Sequence, residues 1–356
     1  MGQGKWILIG IVFTIFLWVP VQGQFFDESS KVKYDSSYIE VYKDELTTRI
    51  YLSRKQNGFT LSERLYKPWI QYKTNDNLLL GLGYTYSFLT INLAVKMPFI
   101  NQDDELYGKS RYIDLGTHFM FRSYIVDLYL QWNKGYYISN PGDIFPHWDP
   151  DQNMPQRGDM RSNIIGLNVQ YLFNSERFSY KAAFWQNEFQ KRSAGSPILG
   201  LEAYWMLGMT DSMTVESTIP PIGYLDNMSF NQTDIANVGL TGGYAYTFVW
   251  SERLYLSLTS LFGLSGAHNQ VHYTPESHTL NSGITVGLTN TSRISLGYNN
   301  ANYYVGLSVM RFSMATLAGG YGDWFTYNTG HIRLNFVKRF KLKRSIKILR
   351  PDLWIF

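Results

Sequence analysis

The sequence predicts an all-β fold, an antiparallel transmembrane β-barrel of about 14 strands, within a range of about 12 to 16. Three observations predict it: apolar and polar side chains alternate along most of the chain after residue 64, the chain begins with a secretory leader, and it contains no cysteine. In the segment 124–133, Val126, Leu128, Leu130 and Trp132 fall on one face, and the residues between them fall on the other. Such alternation gives a strand one apolar and one wet face.

The N-terminus predicts export from the cytoplasm. Residues 1–23 have the layout of a signal peptide, in which Lys5 precedes an apolar stretch, and Pro20 and Gly23 lie before a plausible cleavage point. The apolar stretch is too short to span a bilayer comfortably, so we expect it to be removed. Residues 24–64 are predicted to form an N-terminal periplasmic or plugging segment, followed by the barrel at 65–340 and a basic C-terminal tail at 341–356.

Turn-forming residues such as Thr74, Asn75 and Asp76 separate the predicted strands. They place strands at 65–73, 77–86, 88–96, 111–121, 124–135, 162–173, 177–186, 197–209, 213–219, 236–250, 253–266, 279–299, 302–312 and 326–340. After residue 88 the connections alternate between tight turns and longer loops. Outer-membrane barrels have this alternation, an even strand number and both termini in the periplasm, and a count of about 14 satisfies all three rules.

The segment 46–55 also alternates, but one additional strand would place the C-terminus outside the cell. It is therefore predicted to remain in the periplasmic or plugging segment, or else to pair with a further strand near 38–43 and raise the count to about 16. The first alternative is preferred.

Composition fits a barrel and excludes several classes of site. Aromatic residues make up 17% of the chain and the mean hydropathy is −0.21, as expected where only every second strand residue faces lipid. The absence of cysteine excludes disulfides, thiolate metal sites and a cysteine nucleophile. The tail region, residues 338–350, carries seven basic residues against a net charge of +4, so the rest of the chain is net negative. No pattern favours nucleic acid as a partner.

The alternation also assigns each strand an outer and an inner face. The lipid-facing set includes Ile91, Leu93, Val95, Ile113 and Leu115. The polar residues predicted to face the lumen are Asp114, His118, Asp127, Gln131, Asn168, Gln170, Lys181, Glu202 and Arg333. Charges in a closed barrel must be hydrated or paired, so these residues predict either a water-filled lumen or a structural plug of ion pairs.

Three stretches carry a family resemblance: RIYLSRK (49–55), YIDLGTHFMFRSYIVDLYLQWNKGYYI (112–138) and ISLGYNNANYYVGLS (294–308). They resemble an uncharacterised family of Bacteroidota outer-membrane β-barrel proteins, domain of unknown function 4421, over about residues 40 to 340. The resemblance implies an outer-membrane barrel and supplies no activity, ligand or catalytic residue. Family members end at a strand like 331–340, whereas this chain continues into its basic tail.

No catalytic residue, cofactor or metal site is predicted. The loop 149–153 spaces oxygen ligands as calcium loops do, but Met154 stands where the turn needs glycine. His268, His272, His278 and Glu276 share one loop without a helix to gather them. No GxSxG elbow or Ser, His, Asp arrangement is present.

These features predict a protein of the Gram-negative cell outer membrane that is not an enzyme. It is predicted to be porin-like, acting as a channel for small solutes if the lumen is open, or to be a membrane subunit of an envelope secretion or biogenesis assembly. Its partners would be outer-membrane lipid and other envelope proteins. The alternatives are a lipid-modifying barrel enzyme, with His118 or a loop histidine as base, and a structural or adhesive surface protein.

Overall fold

A computed structural model describes residues 34–42, 45–62, 69–86, 89–97, 99–145, 147–210, 231–251, 253–272, 279–300, 302–318 and 323–342. The predicted signal peptide, the predicted strand at 213–219 and the tail from residue 343 lie outside these described residues. Among the described residues, no helix is both long enough and apolar enough to cross a membrane.

The described chain is almost entirely strand. Its elements in order are β1 (Ile39–Val41), β2 (Glu45–Ser62), β3 (Trp69–Lys73), β4 (Leu78–Tyr86), β5 (Leu89–Lys96), α1 (Asp104–Tyr107), β6 (Arg111–Asp114), β7 (Thr117–Met120), β8 (Tyr124–Ile138), α2 (Pro141–Ile144), β9 (Gln156–Leu172), α3 (Tyr180–Phe184), β10 (Glu188–Gln190), β11 (Ala194–Met209), β12 (Gln232–Trp250), β13 (Leu254–His272), β14 (Thr279–Asn299), β15 (Tyr303–Ala318) and β16 (Asp323–Lys341).

These strands form a closed antiparallel barrel. From β8 to β16 the strands pair in chain order, except that β10 is left out and β9 pairs directly with β11. The ring closes because β16 pairs with β2 over the whole length of β2, from Lys341 opposite Glu45 to Trp324 opposite Ser62. We call the end with Glu45 and Lys341 the terminal end and the opposite end the loop end.

The predicted antiparallel barrel is confirmed, but the predicted ring of about 14 strands is not. The hydrogen-bonded ring has ten strands; β4, β6 and β7 each pair with a ring strand, and β5 pairs with β4. β3 and β4 both pair with β2, β3 near the loop end and β4 near the terminal end. They form one line along β2, interrupted at Thr74–Asn77, and are not the two arms of a hairpin.

The interruption leaves a gap in the wall. Near the loop end β3 bridges β2 and β8 directly. Nearer the terminal end the space is filled by β4 and β5 from one side and by β6 and β7, which pair with β8, from the other. Among the described residues, no ladder joins β5 to β6 or β7. We call the gap between β5 and the pair β6–β7 the slot.

Two predictions about segments are wrong. Residues 45–62 are a barrel strand and not part of a periplasmic or plugging segment. The predicted strand 177–186 is replaced by turns and α3. The alternation at Phe178, Tyr180 and Phe184 resembled a strand, but Ser179 caps a helix there by accepting a hydrogen bond from the Ala182 amide at 3.1 Å.

The alternative in which 46–55 pairs with a further strand near 38–43 is also wrong, because the strand there, β1, pairs with β10 in a separate two-stranded sheet. In the ring, β11 and β12 pair directly, from Ala194 opposite Thr247 to Met209 opposite Gln232.

The outer face carries an apolar belt. Strand register brings outward-facing aliphatic residues of successive strands side by side, as in the row Val126, Val169, Leu201, Leu240, Leu264 and Leu288. Leu201, Leu240 and Leu264 are each more than half exposed. A contiguous exposed apolar band of this kind matches the lipid-facing surface of a membrane barrel.

The segment Phe178–Gln190, which we call the plug, is packed inside the terminal end of the barrel. Phe178, Tyr180 and Trp185 are buried among inward-facing side chains of β8, β11, β12 and β13. Barrel side chains bind the carbonyls that end α3: Ser295 Oγ donates to Ala183 O at 2.9 Å, and Arg339 Nε donates to Gln186 O at 2.8 Å. The helix end is therefore satisfied by the wall that surrounds it.

Candidate functional site: the lumen and the slot

The lumen is filled at both ends. At the terminal end it holds the plug. At the loop end, inward-facing aromatic residues stack on one another, with ring centroids of Phe59 and Tyr72 4.9 Å apart and of Phe59 and Phe325 5.5 Å apart. Each of these rings is at most 7% exposed. A water-filled axial bore would leave its lining accessible, so the described part of the barrel contains none at this level.

Between the two layers lies a cavity of about 380 Å³ that borders the slot. Residues from both edges of the slot line it, together with residues of β2, β16 and the plug. The lining includes Arg49, Tyr51, Lys55, Asn92, Ala94, Asp114, His118, Met120, Gln131, Trp185, Arg293, His331 and Arg333. A second cavity of about 300 Å³ lies on the loop side of the first and shares His331 with it.

The slot has a closed upper boundary and apolar lips. Asn75 holds the connection from β5 to β6 across the slot on its loop-end side. Its backbone N–H donates to Ser110 Oγ at 2.7 Å, and its side-chain amide donates to Gly108 O at 3.1 Å. On the outer face, Leu93 of β5 and Leu115, which follows β6, are 70% and 61% exposed. The inner-facing Asn92 and Ala94 of β5 are also exposed, which does not occur where a strand is paired on both sides and packed from within.

Asp127 is the centre of the best-connected charge cluster. This carboxylate of β8 is fully buried and forms an ion pair with Arg293 of β14, on the far side of the barrel. His118 Nδ1 lies 2.7 Å from Asp127 Oδ1, and Gln170 Nε2 donates to Asp127 Oδ2 at 2.8 Å. The Arg293 guanidinium also lies over the ring of Tyr180, 5.5 Å from its centroid. This cluster ties three further strands and the plug to β8.

Asp114 forms a second cluster at the edge of the slot. It pairs with Lys55 of β2 and accepts a hydrogen bond from Gln131 Nε2 at 3.0 Å. Gln131 accepts in turn from the Tyr327 hydroxyl at 2.9 Å. Among the described strands, β6 and β2 are not neighbours in the sheet. The ion pair therefore reaches across the cavity from one to the other.

Glu202 and Asn168 lie on the opposite side of the lumen, away from the slot. Thr289 Oγ1 donates to Glu202 Oε1 at 2.6 Å, and Asn168 Nδ2 donates to Glu202 Oε2 at 3.4 Å. Lys181 belongs to α3, so its predicted position on a strand is wrong; its ammonium lies 3.9 Å from Glu188 of the plug.

Two cations in the cavity have no carboxylate partner among the described residues. Arg49 is 4% exposed and donates only to neutral groups, at 3.2 Å to Asn92 Oδ1, 3.0 Å to Trp185 O and 2.8 Å to Gln186 Oε1. Arg333 lies over the ring of Tyr51, with its guanidinium carbon 4.4 Å from the centroid. Its Nε is buried without a hydrogen-bond acceptor.

The structure places the predicted residues Asp114, His118, Asp127, Gln131, Gln170 and Arg333 on the inside of the barrel. Three of the cations that lie beside them were not predicted from the sequence. Arg49 and Lys55 were missed because their segment was placed outside the barrel. Arg293 could have been found, since it faces inward from a strand on which Ile294 and Leu296 mark the outer face.

No metal site emerges from the described residues, since no group of three or more His, Asp or Glu side chains there could hold an ion. In the loop 149–153, Asp149 Oδ1 accepts from the Asp151 amide at 3.0 Å, an ordinary turn. His268 and His272 were predicted in a loop, but they lie on β13, where His268 Nδ1 is 3.0 Å from Gly283 O; Glu276 and His278 lie outside the described residues.

Comparisons with known proteins identify a family and distant folds. A family described as a domain of unknown function (DUF4421) matches residues 33–340. No curated protein matches. Among solved structures, the chain is similar to the outer membrane protease OmpT of Escherichia coli at 9% identity, with 85% of this chain and 98% of that chain covered and a TM-score of 0.35.

It is also similar to the translocator domain of the autotransporter NalP of Neisseria meningitidis at 7% identity, with 92% and 98% covered and a TM-score of 0.33. The toluene transporter TodX of Pseudomonas putida matches at 8% identity, with 83% and 90% covered and a TM-score of 0.25. At such distances neither the protease activity nor the transport named for these proteins is assigned to this chain.

Proposed function

This chain belongs to the family described as a domain of unknown function (DUF4421), and on that premise we propose that it is a non-enzymatic outer-membrane barrel through whose slot amphipathic molecules pass between the bilayer and the internal cavity. The apolar belt supports the membrane location. The filled lumen argues against the porin-like channel predicted from sequence.

One observation carries the proposal: among the described residues, no ladder closes the barrel wall between β5 and the pair β6–β7, where the cavity lies. In a bilayer, backbone groups left without hydrogen-bond partners cost several kcal/mol each, so irregular or open edges are tolerated only where they line a cavity or meet another molecule. Here the edges of β5 and β6–β7 do both, because polar residues face the cavity and Leu93 and Leu115 face the membrane.

Photolabelling tests this side access. The full chain is folded into phospholipid vesicles that contain a lipid with a photoreactive group on its acyl chain close to the headgroup, and the labelled residues are mapped by mass spectrometry. We expect label on the inward-facing Ala94 and Met120 as well as on the outward-facing Leu93. Label confined to outward-facing residues around the whole belt would contradict the proposal.

A crosslink provides the matched control. The chain has no cysteine, so Leu93→Cys with Leu115→Cys can be bridged across the slot by a bifunctional maleimide. Leu82→Cys with Leu93→Cys places the same bridge on two strands that are already paired, since Leu82 lies opposite Leu93. The first bridge should abolish labelling of Ala94 and the second should leave it unchanged. In planar bilayers neither protein should show the large conductance steps of a porin.

The contact between His118 and Asp127 favours a second candidate, the lipid-modifying enzyme. Asp127 would orient the imidazole and His118 would act as general base toward the cavity. No hydroxyl group of the described residues hydrogen-bonds to the His118 ring, so water would have to be the nucleophile. Incubation with phospholipid or lipopolysaccharide, followed by mass spectrometry, decides it: product that disappears in His118→Gln supports the enzyme, and unchanged substrate eliminates it.

The envelope-assembly role predicted from sequence uses the same unpaired edges, to which a strand of another protein could add. Photocrosslinkers placed at Leu93 and Leu115 in intact cells distinguish the two uses. Adducts to lipid are expected here, whereas a discrete protein adduct would assign the slot to an assembly.

A further inference from the structure

We propose that the cavity beside the slot binds the anionic headgroup of an amphiphile, a phosphate or a carboxylate, while its acyl chain leaves through the slot into the bilayer. This inference rests on the proposed side access and adds the chemistry of the molecule that uses it.

The charge of the cavity favours an anion. Arg49, Lys55, Arg293 and Arg333 line it, and two carboxylates, Asp114 and Asp127, pair with Lys55 and Arg293. Two full positive charges, on Arg49 and Arg333, are therefore left over even with both histidines neutral. His331 and His118 lie on the same lining and can only add positive charge.

Arg333 is the group best placed to meet the ligand. Its guanidinium is held by the ring of Tyr51 on one side, and no described residue forms a hydrogen bond or an ion pair with it. An unpaired charge inside a protein is costly, and a guanidinium binds phosphate or carboxylate through two parallel hydrogen bonds. A ligand anion would therefore supply the partner that the protein does not.

The size of the cavity and the character of the slot indicate an amphiphile. The cavity of about 380 Å³ lies at the small end of the range for small-molecule sites, so it has room for a headgroup but not for a lipid with its chains. The chains must then lie outside, and the way out is flanked by Leu93, Val95, Ile113 and Leu115, which are all exposed and apolar. A free inorganic anion would gain nothing from these lips.

Competition between matched lipids tests the headgroup. Vesicles contain either phosphatidylglycerol, which is anionic, or phosphatidylcholine, which is zwitterionic, each with the same photoreactive acyl chain, and label on Ala94 and Met120 is quantified. We expect the anionic lipid to label these residues about tenfold more than the zwitterionic lipid, the difference that 1.4 kcal/mol of preference produces.

Three variants assign the preference to Arg333. Arg333→Gln should abolish it, without leaving a buried carboxylate unpaired. Arg333→Lys keeps the charge and should retain part of the preference, which a purely structural role of Arg333 would not explain. Arg54→Gln removes a cation from the exposed outer face of the same β2 that carries Lys55 and should change nothing. A difference in gel migration between unboiled and boiled samples confirms that each variant has folded.

The outcomes separate the two proposals. Equal labelling of Ala94 by both lipids would keep the side access and overturn the anion site. No labelling of Ala94 by either lipid would overturn both. Loss of the anionic preference on addition of inorganic phosphate alone, at millimolar concentration, would identify a free anion as the ligand and overturn the amphiphile.

Discussion

Asp76 is a carboxylate whose environment opposes its charge. It lies in the interruption between β3 and β4, near the level of the exposed Arg54 and beyond the apolar belt, and its Oδ1 is buried without a hydrogen-bond partner. Burial raises the pKa of Asp76 from 3.8 to about 7, against the opposing effect of Arg54 and Lys73. The folded protein therefore holds a proton that the unfolded chain has already released.

Asp76→Asn should accordingly stabilise the protein at high pH only. Between about pH 4 and pH 7 the folded state binds more protons than the unfolded state, so the free energy of unfolding of the native protein falls as pH rises through this window. We expect the variant and the native protein to be equally stable near pH 4 and the variant to be more stable at pH 8. Urea unfolding at both pH values measures this; an equal change at both would contradict the pKa shift.

Asp127 and Arg293 depend on each other. Asp127→Asn leaves Arg293 buried at 2% exposure without its counter-charge and should destabilise the barrel by about 3–5 kcal/mol. Replacing both, as Asp127→Leu with Arg293→Met, should cost less than the single change. Urea unfolding followed by tryptophan fluorescence gives the values, with Asp143→Asn, at an exposed position of α2, as control. If the double variant were the less stable one, the pair would not be the unit of stability.

Which inward residues meet could be predicted only in part. Alternation assigns Asp127 and Arg293 to the lumen, but β8 and β14 are far apart in the chain and in the order of the strands. Their contact depends on the diameter of the ring, which follows from the strand count. With ten ring strands instead of about 14, opposite walls are near enough for ion pairs, and the interior becomes a packed core.

At the level of elements, the plug depends on cations and hydroxyls supplied by the wall. Arg339 donates to Gln186 O at the end of α3 and also to Asn300 O at 2.6 Å. Gln186 has a φ of 57°, a left-handed conformation that a residue other than glycine adopts only where surrounding contacts hold it. Arg49 provides another of these contacts through Gln186 Oε1.

Arg339→Gln should therefore loosen the plug without unfolding the barrel. In a background with Ala183→Cys as reporter, we expect a water-soluble maleimide to react about tenfold faster or more, since hydrogen bonds to charged groups contribute about 1.5–3 kcal/mol. Lys338→Gln, on the outer face of the same strand, is the control. Equal reaction rates in the two variants would show that the plug is held by its apolar contacts alone.

Neither the plug nor the slot could be predicted from local pattern. The residues of β5, β6 and β7 alternate as well as those of the paired strands, and Leu93 and Ile113 resemble any lipid-facing residue. A sheet edge arises where no strand pairs with it, and the positions of the neighbouring strands are set by segments that are distant in the sequence. The sequence indicates a turn at Thr74–Asn77, but the same residue types occur in a hairpin turn and in an interruption of a single strand. Only the pairing of both β3 and β4 with β2 distinguishes the two cases.

At the scale of the whole molecule, the closed wall and its two faces follow from the sequence because a period of two repeats in every strand. Register then sorts the outward residues into a belt. On β13 the outward positions from Leu254 to Leu264 are apolar apart from Ser260, while Gln270 lies farther toward the loop end on the same face. The belt therefore has a limit along each strand, and on the proposed membrane location this limit is where lipid would give way to water.

Leu258→Arg should expose that limit. Leu258 lies within the belt on β13, opposite Ile294 of β14 and Tyr246 of β12, so an outward-facing guanidinium there must be drawn into hydrocarbon. We expect a loss of about 2–4 kcal/mol in the free energy of unfolding from vesicles, the value for arginine near the bilayer centre. Gln270→Arg, on the same face of the same strand, should cost at most about 1 kcal/mol. In detergent micelles, whose surface adapts to a charge, the two variants should become similar. Equal stability of both variants in vesicles would mean that this face is not against lipid, and the membrane location would fall with it.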